Sequence, residues 1–234
     1  MPSKHLLDPD LAPMLELIPG RGLNRERLVA MRQMMTQMGK ATVPPPPAGV
    51  TVSERLVPGP AGSPDVRVLV SSPAARGAGR PAVLHIHGGG YVMGSPDSSA
   101  ANNAALVLAA GAVVVSVDYR LAPETPHPGP VEDCYAALKW LHASAGDLGV
   151  DTARIAVSGE SAGGGLAANL CLMARDRGEV PVAYQHLIFP MLDDRTAGDG
   201  EPHEFAGQFV WTRDANVYGW ESLLGHEPGR AEVA

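Results

Sequence analysis

Ser161 stands at the centre of Gly159-Glu160-Ser161-Ala162-Gly163. A serine with glycine two positions away on either side is the pattern that sets a hydroxyl on a sharp strand-to-helix turn, from which it can attack a carbonyl carbon. In a chain with 27 glycines the pentapeptide alone is a weak signal, so the flanking text decides. Upstream, Arg154-Ile155-Ala156-Val157-Ser158 reads as a strand. Downstream, Gly163-Gly164-Gly165-Leu166-Ala167-Ala168-Asn169-Leu170 reads as a helix rich in small residues. Bulk at positions 159 or 163 would collide across so tight a turn. Ala162 would open the helix, its N–H at the positive end of the helix dipole. The plain alternative is a strand–helix turn with an incidental serine.

A second cluster, His87-Gly88-Gly89-Gly90, follows the apolar run Val83–Ile86. Consecutive glycines let a backbone approach a ligand closely and turn N–H groups inward. A developing alkoxide needs such donors, each worth about 10²–10³ in rate. Gly89 and Gly90 are assigned as principal donors, with Gly88 shaping the loop and His87 bracing it. The plain alternative is a flexible glycine turn.

Other chemistries fit less well. His85 and His87 alternate on one strand, yet no third metal ligand lies nearby and no His-Glu-x-x-His helix exists. The run Gly163-Gly164-Gly165 lacks the Lys-Ser or Lys-Thr of a phosphate loop. No metal and no cofactor are expected.

These residues require elements to hold them. Strands are predicted near 49–57, 65–71, 82–87, 112–118, 154–158 and 184–190, and helices near 98–110, 130–143 and 162–176. Apolar runs such as Ala82–Ile86 and Ala112–Val117 suit strands buried on both faces. From the third strand onward strand and helix alternate, which implies parallel strands with right-handed crossovers. The first two strands, separated by a short link, are expected to form an antiparallel edge. Residues 1–45 form a separate unit, a helical segment closed by Pro44–Pro47; residues 46–234 form the α/β unit. Asn24 suits an N-cap, and Leu28, Met31, Met35 and Met38 share a helical face, suited to core packing or to an adaptable lid. Residues 191–234 read as a loop with one or two helices.

Composition sets outer limits. The 234 residues are 45% hydrophobic and 18% charged, ordinary for a globular domain, and the net charge of −7 speaks against a nucleic-acid surface. The N-terminus shows no apolar signal region and no stretch is long enough to span a bilayer, so a cytoplasmic protein without membrane insertion is expected. Two cysteines, Cys134 and Cys171, make no disulfide framework. A homo-oligomer is left open.

The text His87-Gly88-Gly89-Gly90-Tyr91, Asp118-Tyr119-Arg120-Leu121-Ala122-Pro123-Glu124, Glu132-Asp133-Cys134-Tyr135-Ala136-Ala137 and Gly159-Glu160-Ser161-Ala162-Gly163-Gly164 resembles, in order, the hormone-sensitive-lipase-like (bacterial family IV) carboxylesterases. The resemblance covers residues 20–225 and implies an α/β-hydrolase fold: a mostly parallel sheet, helices on both faces and an N-terminal helical cap. It implies Ser161 as nucleophile, Gly89, Gly90 and Ala162 as oxyanion hole, and cofactor-free hydrolysis of short- to medium-chain acyl esters, small molecules. Asp118, Arg120, Glu124 and Asp133 are expected to make structural contacts.

The family's acid and histidine follow two further strand–helix units, about 30 residues each. Neither is legible here, so the chain reads as truncated after the sixth strand and following helices. The sixth strand, Gln185–Phe189, is then expected at an edge with an uncovered apolar face. Asp193 or Asp194 with His203 or His226 could substitute from inside the chain, but no predicted strand carries either histidine back to Ser161. Three readings stay open: a serine esterase, an impaired fragment or non-catalytic small-ligand binder, and a peptidase or amidase.

Overall fold

The computed structural model describes residues 2–16, 22–42, 45–198 and 203–229. Six strands form one sheet: β1 (Val50–Val57), β2 (Val66–Pro73), β3 (Arg80–Ile86), β4 (Val113–Asp118), β5 (Val150–Glu160) and β6 (Tyr184–Ile188), in the order β1-β2-β4-β3-β5-β6. β2 runs antiparallel to both β1 and β4, and β4, β3, β5 and β6 are mutually parallel. The predicted antiparallel edge and parallel remainder are both present. β5 is longer than expected at its start, where Val150 pairs with Arg80 across an irregular register.

The helices are α1 (Ala12–Glu16), α2 (Arg25–Thr42), α3 (Ala100–Ala110), α4 (Gly129–Ala143), α5 (Ala145–Leu148), α6 (Ala162–Arg177) and α7 (Arg213–Leu224). Strand periodicity decides which face each covers. Leu84, Ile86, Val115, Val117, Ile155 and Val157 join Val131, Leu138, Leu141, Leu166 and Leu170 of α4 and α6 in the main core. Val83 and Val114 point the other way, to Ala104 and Val107 of α3. β4 is buried from Val113 to Val117 because both its faces are covered. β6 is an edge strand; Tyr184 is 65% exposed and Phe189, just beyond it, 75% exposed. The expected uncovered edge is therefore present.

The N-terminal helices sit over the C-terminal ends of the strands. Asn24 caps α2, its Oδ1 accepting from Arg27 N at 2.9 Å. Leu28 is buried with Leu23, Val92, Met93, Ala122 and Ala215, with Met31 and Met35 packed alongside. Three of the four stripe residues thus serve packing; the Met38 side chain lies outside what is described. Arg32, which periodicity does not single out, fastens α2 down. Its guanidinium donates to Val92 O (2.7 Å), Ala122 O (2.7 Å) and both Glu124 oxygens (2.9 and 3.0 Å).

The remaining polar motif residues are braces, as expected. Asp133 is fully buried and accepts from Arg120 N (2.9 Å), Nε (2.8 Å) and Nη2 (2.7 Å). Asp118 meets Arg67, which also holds Asp97 and Glu54. Arg67 holds the Asp97 carboxyl below its usual range. Burial pushes Asp118 up despite the same partner. Cys134 and Cys171 are both free.

Candidate active site

β5 ends at Glu160 and α6 begins at Ala162, so Ser161 occupies the single residue between them. Its backbone is forced to φ 55°, ψ −119°. A non-glycine residue there is strained by about 1–3 kcal/mol and persists only because its surroundings hold it. Those surroundings are visible: Ser161 N donates to Ile188 O (2.9 Å), and Ser161 O accepts from Met191 N (3.0 Å) and Gly165 N (3.1 Å). The Ser161 side chain makes no helix-capping bond. Ala162 is the first residue of α6 and fully buried, its N–H one of the helix's donors without an intrahelical acceptor.

The glycines at the turn are obligatory by contact. A Cβ on Gly159 would lie 2.2 Å from Gly163 O. One on Gly163 would lie 2.1 Å from Ile86 O and 2.5 Å from His87 O. The turn is therefore wedged against the end of β3, where the glycine loop begins. A Cβ on Gly88 would stand 3.4 Å from Ser161 Cβ, which places the two motifs side by side.

The loop itself carries three successive residues with positive φ: Gly89 (123°), Gly90 (61°) and Tyr91 (66°). Glycine adopts this left-handed region without the Cβ penalty, which accounts for two of the three. Val92 N and Met93 N both donate to Gly89 O (3.1 and 3.0 Å), closing the turn. Tyr91 is buried and donates its hydroxyl to Met191 O (2.9 Å), tying the loop to the segment after β6.

His87 braces the loop from inside. Its ring stacks on Tyr119 at 4.3 Å, its Nδ1–H donates to Gly88 O (2.8 Å), and its own carbonyl accepts from the Tyr119 hydroxyl (2.9 Å). Burial pushes its pKa down to about 4, so the imidazole is neutral at pH 7. Glu160 supplies a second brace that sequence reasoning did not assign. Its Oε1 accepts from Gly88 N (3.2 Å) and Ser99 Oγ (3.3 Å), and its Oε2 from His85 Nε2 (3.0 Å). Burial would raise its pKa, but His85 and Gly88 N–H outweigh burial and hold it below the usual carboxylate range. Ser116 Oγ lies 2.8 Å from His85 Nδ1, so His85 in β3 and His87 just beyond it serve different polar networks.

Gly88, Gly89, Gly90, Glu160 and Ser161 line one cavity of about 860 Å³. Its other walls are largely apolar: Leu15, Leu23 and Met31 from the N-terminal segment, Met93, Phe189 and Met191, and the stretch Phe209–Trp211. None of the eight histidines lines it. Asp193 caps a short 3₁₀ turn and pairs with Arg195 (2.6 Å), and Asp194 accepts from Gly229 N (2.7 Å). His203 rests against Phe205, and His226 Nδ1 donates to Glu227 O (2.9 Å). The internal substitute triad is therefore not assembled among the described residues.

A strained serine between a strand and a helix, beside a glycine loop at the C-terminal edge of a parallel sheet, defines the architecture of an α/β hydrolase. Comparison with known proteins agrees. The sequence model of the alpha/beta hydrolase fold family matches residues 83–234. Esterase LipI of Mycobacterium tuberculosis is 38% identical over 188 residues, 80% of this chain and 58% of LipI. Carboxylesterase NlhH of the same organism is 38% identical over 184 residues, 79% of this chain and 57% of NlhH. The solved structure of a bacterial heroin esterase superposes with a TM-score of 0.86 at 40% identity, covering 97% of this chain and 72% of that one. The chain belongs to the alpha/beta-hydrolase-fold family, among the esterases and lipases related to bacterial family IV. It spans a little over half the length of the curated relatives it matches.

Proposed function

We propose that this chain carries the nucleophile and the oxyanion-binding part of a serine carboxylesterase acting on short- to medium-chain acyl esters. The observation that carries the reading is the shared cavity of Ser161, Gly88, Gly89 and Gly90. In this reading Ser161 Oγ attacks the ester carbonyl carbon. The N–H groups of Gly89, Gly90 and Ala162 hold the resulting oxyanion, and collapse expels the alcohol and leaves an acyl-enzyme that water hydrolyses. The apolar walls from Leu15, Leu23 and Met31 suit an uncharged acyl chain. That contact supports reading residues 1–45 as a cap over a catalytic unit of residues 46–234. Esterase names among the relatives support the substrate class.

A serine hydroxyl at neutral pH is a weak nucleophile without a base. In a comparable hydrolase, losing the histidine costs on the order of 10⁶ in kcat, while oxyanion hole and binding alone retain roughly 10³–10⁴ over water. With no histidine lining the cavity, a second reading stands beside the first: a pocket that holds a small ligand without turning it over.

Incubation with a fluorophosphonate probe separates the two. Esterase machinery predicts covalent, stoichiometric labelling of Ser161 that Ser161→Ala abolishes. A folded chain that gains no adduct at Ser161 contradicts catalysis by this chain and favours the binder or an impaired fragment. Faster cleavage of p-nitroanilides than of p-nitrophenyl esters would move the reading to an amidase.

A further inference from the structure

The glycine loop is clamped from outside by a residue far away in sequence. Gly90 has φ 61°, and a Cβ built on it would fall 2.0 Å from Trp211 Cη2 and 2.8 Å from Cζ2 and Cζ3. The benzo edge of the indole thus occupies the space a side chain at position 90 would take. Gly219 of α7 closes the arrangement from behind. A Cβ there would lie 2.8 Å from Gly90 O and 3.3 Å from Trp211 Cζ2.

The ring is itself held. Trp211 Nε1 donates to Asn216 Oδ1 in the first turn of α7 (3.2 Å), and Thr212 caps that helix, its Oγ1 accepting from Ala215 N (3.2 Å). Val210, just before it, has φ 52°, a costly conformation for a β-branched residue. That outlier lies in the turn that delivers Trp211 to the loop. Trp211 also lines the cavity shared with Ser161. It is therefore in contact with both the loop backbone and the space a substrate would fill.

We propose that Trp211 is a positioning residue: its ring fills the notch at Gly90 and holds the Gly89 and Gly90 N–H groups at the oxyanion position. The proposal rests on the esterase reading of the same cavity. An acyl group lying against the indole would press on the donor loop through one ring, which couples the wall of the pocket to the donors.

Three measurements on the whole chain test it. Trp211→Ala should raise deuterium uptake of a peptide spanning 87–94 while one spanning β4 stays unchanged. The maximal rate of Ser161 phosphonylation should fall roughly 10–100-fold, below the loss of a whole donor, with little change in half-saturating probe concentration. In a double-mutant cycle, Gly90→Ala should lower the melting temperature more in the parent than in the Trp211→Ala background, by roughly 4 °C, because only the parent holds the ring in the way. Unchanged uptake at 87–94, or an additive cycle, overturns the proposal. A parent that is never phosphonylated marks a binder or an impaired fragment, while exchange and the thermal cycle still decide the role of Trp211.

Discussion

Replacing Gly163 by alanine should break the contact on which the site's geometry depends. The new Cβ would meet Ile86 O at 2.1 Å and His87 O at 2.5 Å, both backbone atoms at the end of β3. No rotamer relieves a clash with backbone, so α6 or the β3 terminus must move by about 1 Å to restore ordinary contact. Overpacking of this kind costs about 1–3 kcal/mol, and two carbonyls on the collision course put Gly163 at or above the upper end. Alanine regains about 1 kcal/mol of helix propensity over glycine. The net expectation is a loss of about 2–3 kcal/mol. For a chain of this size, that lowers the melting temperature by roughly 4–12 °C. Urea unfolding followed by circular dichroism reads the loss directly. Gly146→Ala is the matched control: a Cβ there has nothing within 4 Å, and the change should be neutral or slightly stabilising. If Gly163→Ala unfolds within about 0.5 kcal/mol of the parent, the turn is not wedged against β3 as described.

Two further outcomes follow from the buried polar groups. His87 titrates from 6.5 in the unfolded chain to about 4 when buried. The stability this provides is complete above pH 6.5 and is lost as pH falls toward 4, by about 3 kcal/mol. His87→Asn should flatten that part of a urea-midpoint-against-pH curve, and an unchanged slope would place the acid sensitivity elsewhere. Arg120→Ala takes the guanidinium from the fully buried Asp133 carboxylate, leaving it the main-chain N–H of position 120, and should cost about 3 kcal/mol in urea unfolding, with Arg120→Lys recovering only part. A loss below about 1 kcal/mol would mean that the guanidinium is not what secures Asp133 in the folded chain.

The elbow was legible because steric demand writes itself locally. Gly159 and Gly163 must be small, the strand before them must be apolar, and those constraints sit within a dozen residues. The alternation of β3 to α6 was equally local. What escaped were contacts between distant segments. Arg32 bonding to Val92 and Ala122 leaves no periodic trace in α2. Glu160 reads only as the spacer before the serine until the fold brings Gly88 N to its carboxylate. Trp211 reads as one aromatic in an irregular stretch until Gly90 is found beneath it. The edge position of β6 was readable because no strand pattern follows Phe189.

The most direct test of the central claim is a crystal structure of the chain after reaction with a small phosphonate. Phosphorus should be bonded to Ser161 Oγ, and the phosphonyl oxygen should lie within about 2.7–3.1 Å of the backbone nitrogens of Gly89, Gly90 and Ala162. An adduct whose oxygen points to solvent, or a Ser161 turned away from the glycine loop, would contradict the account.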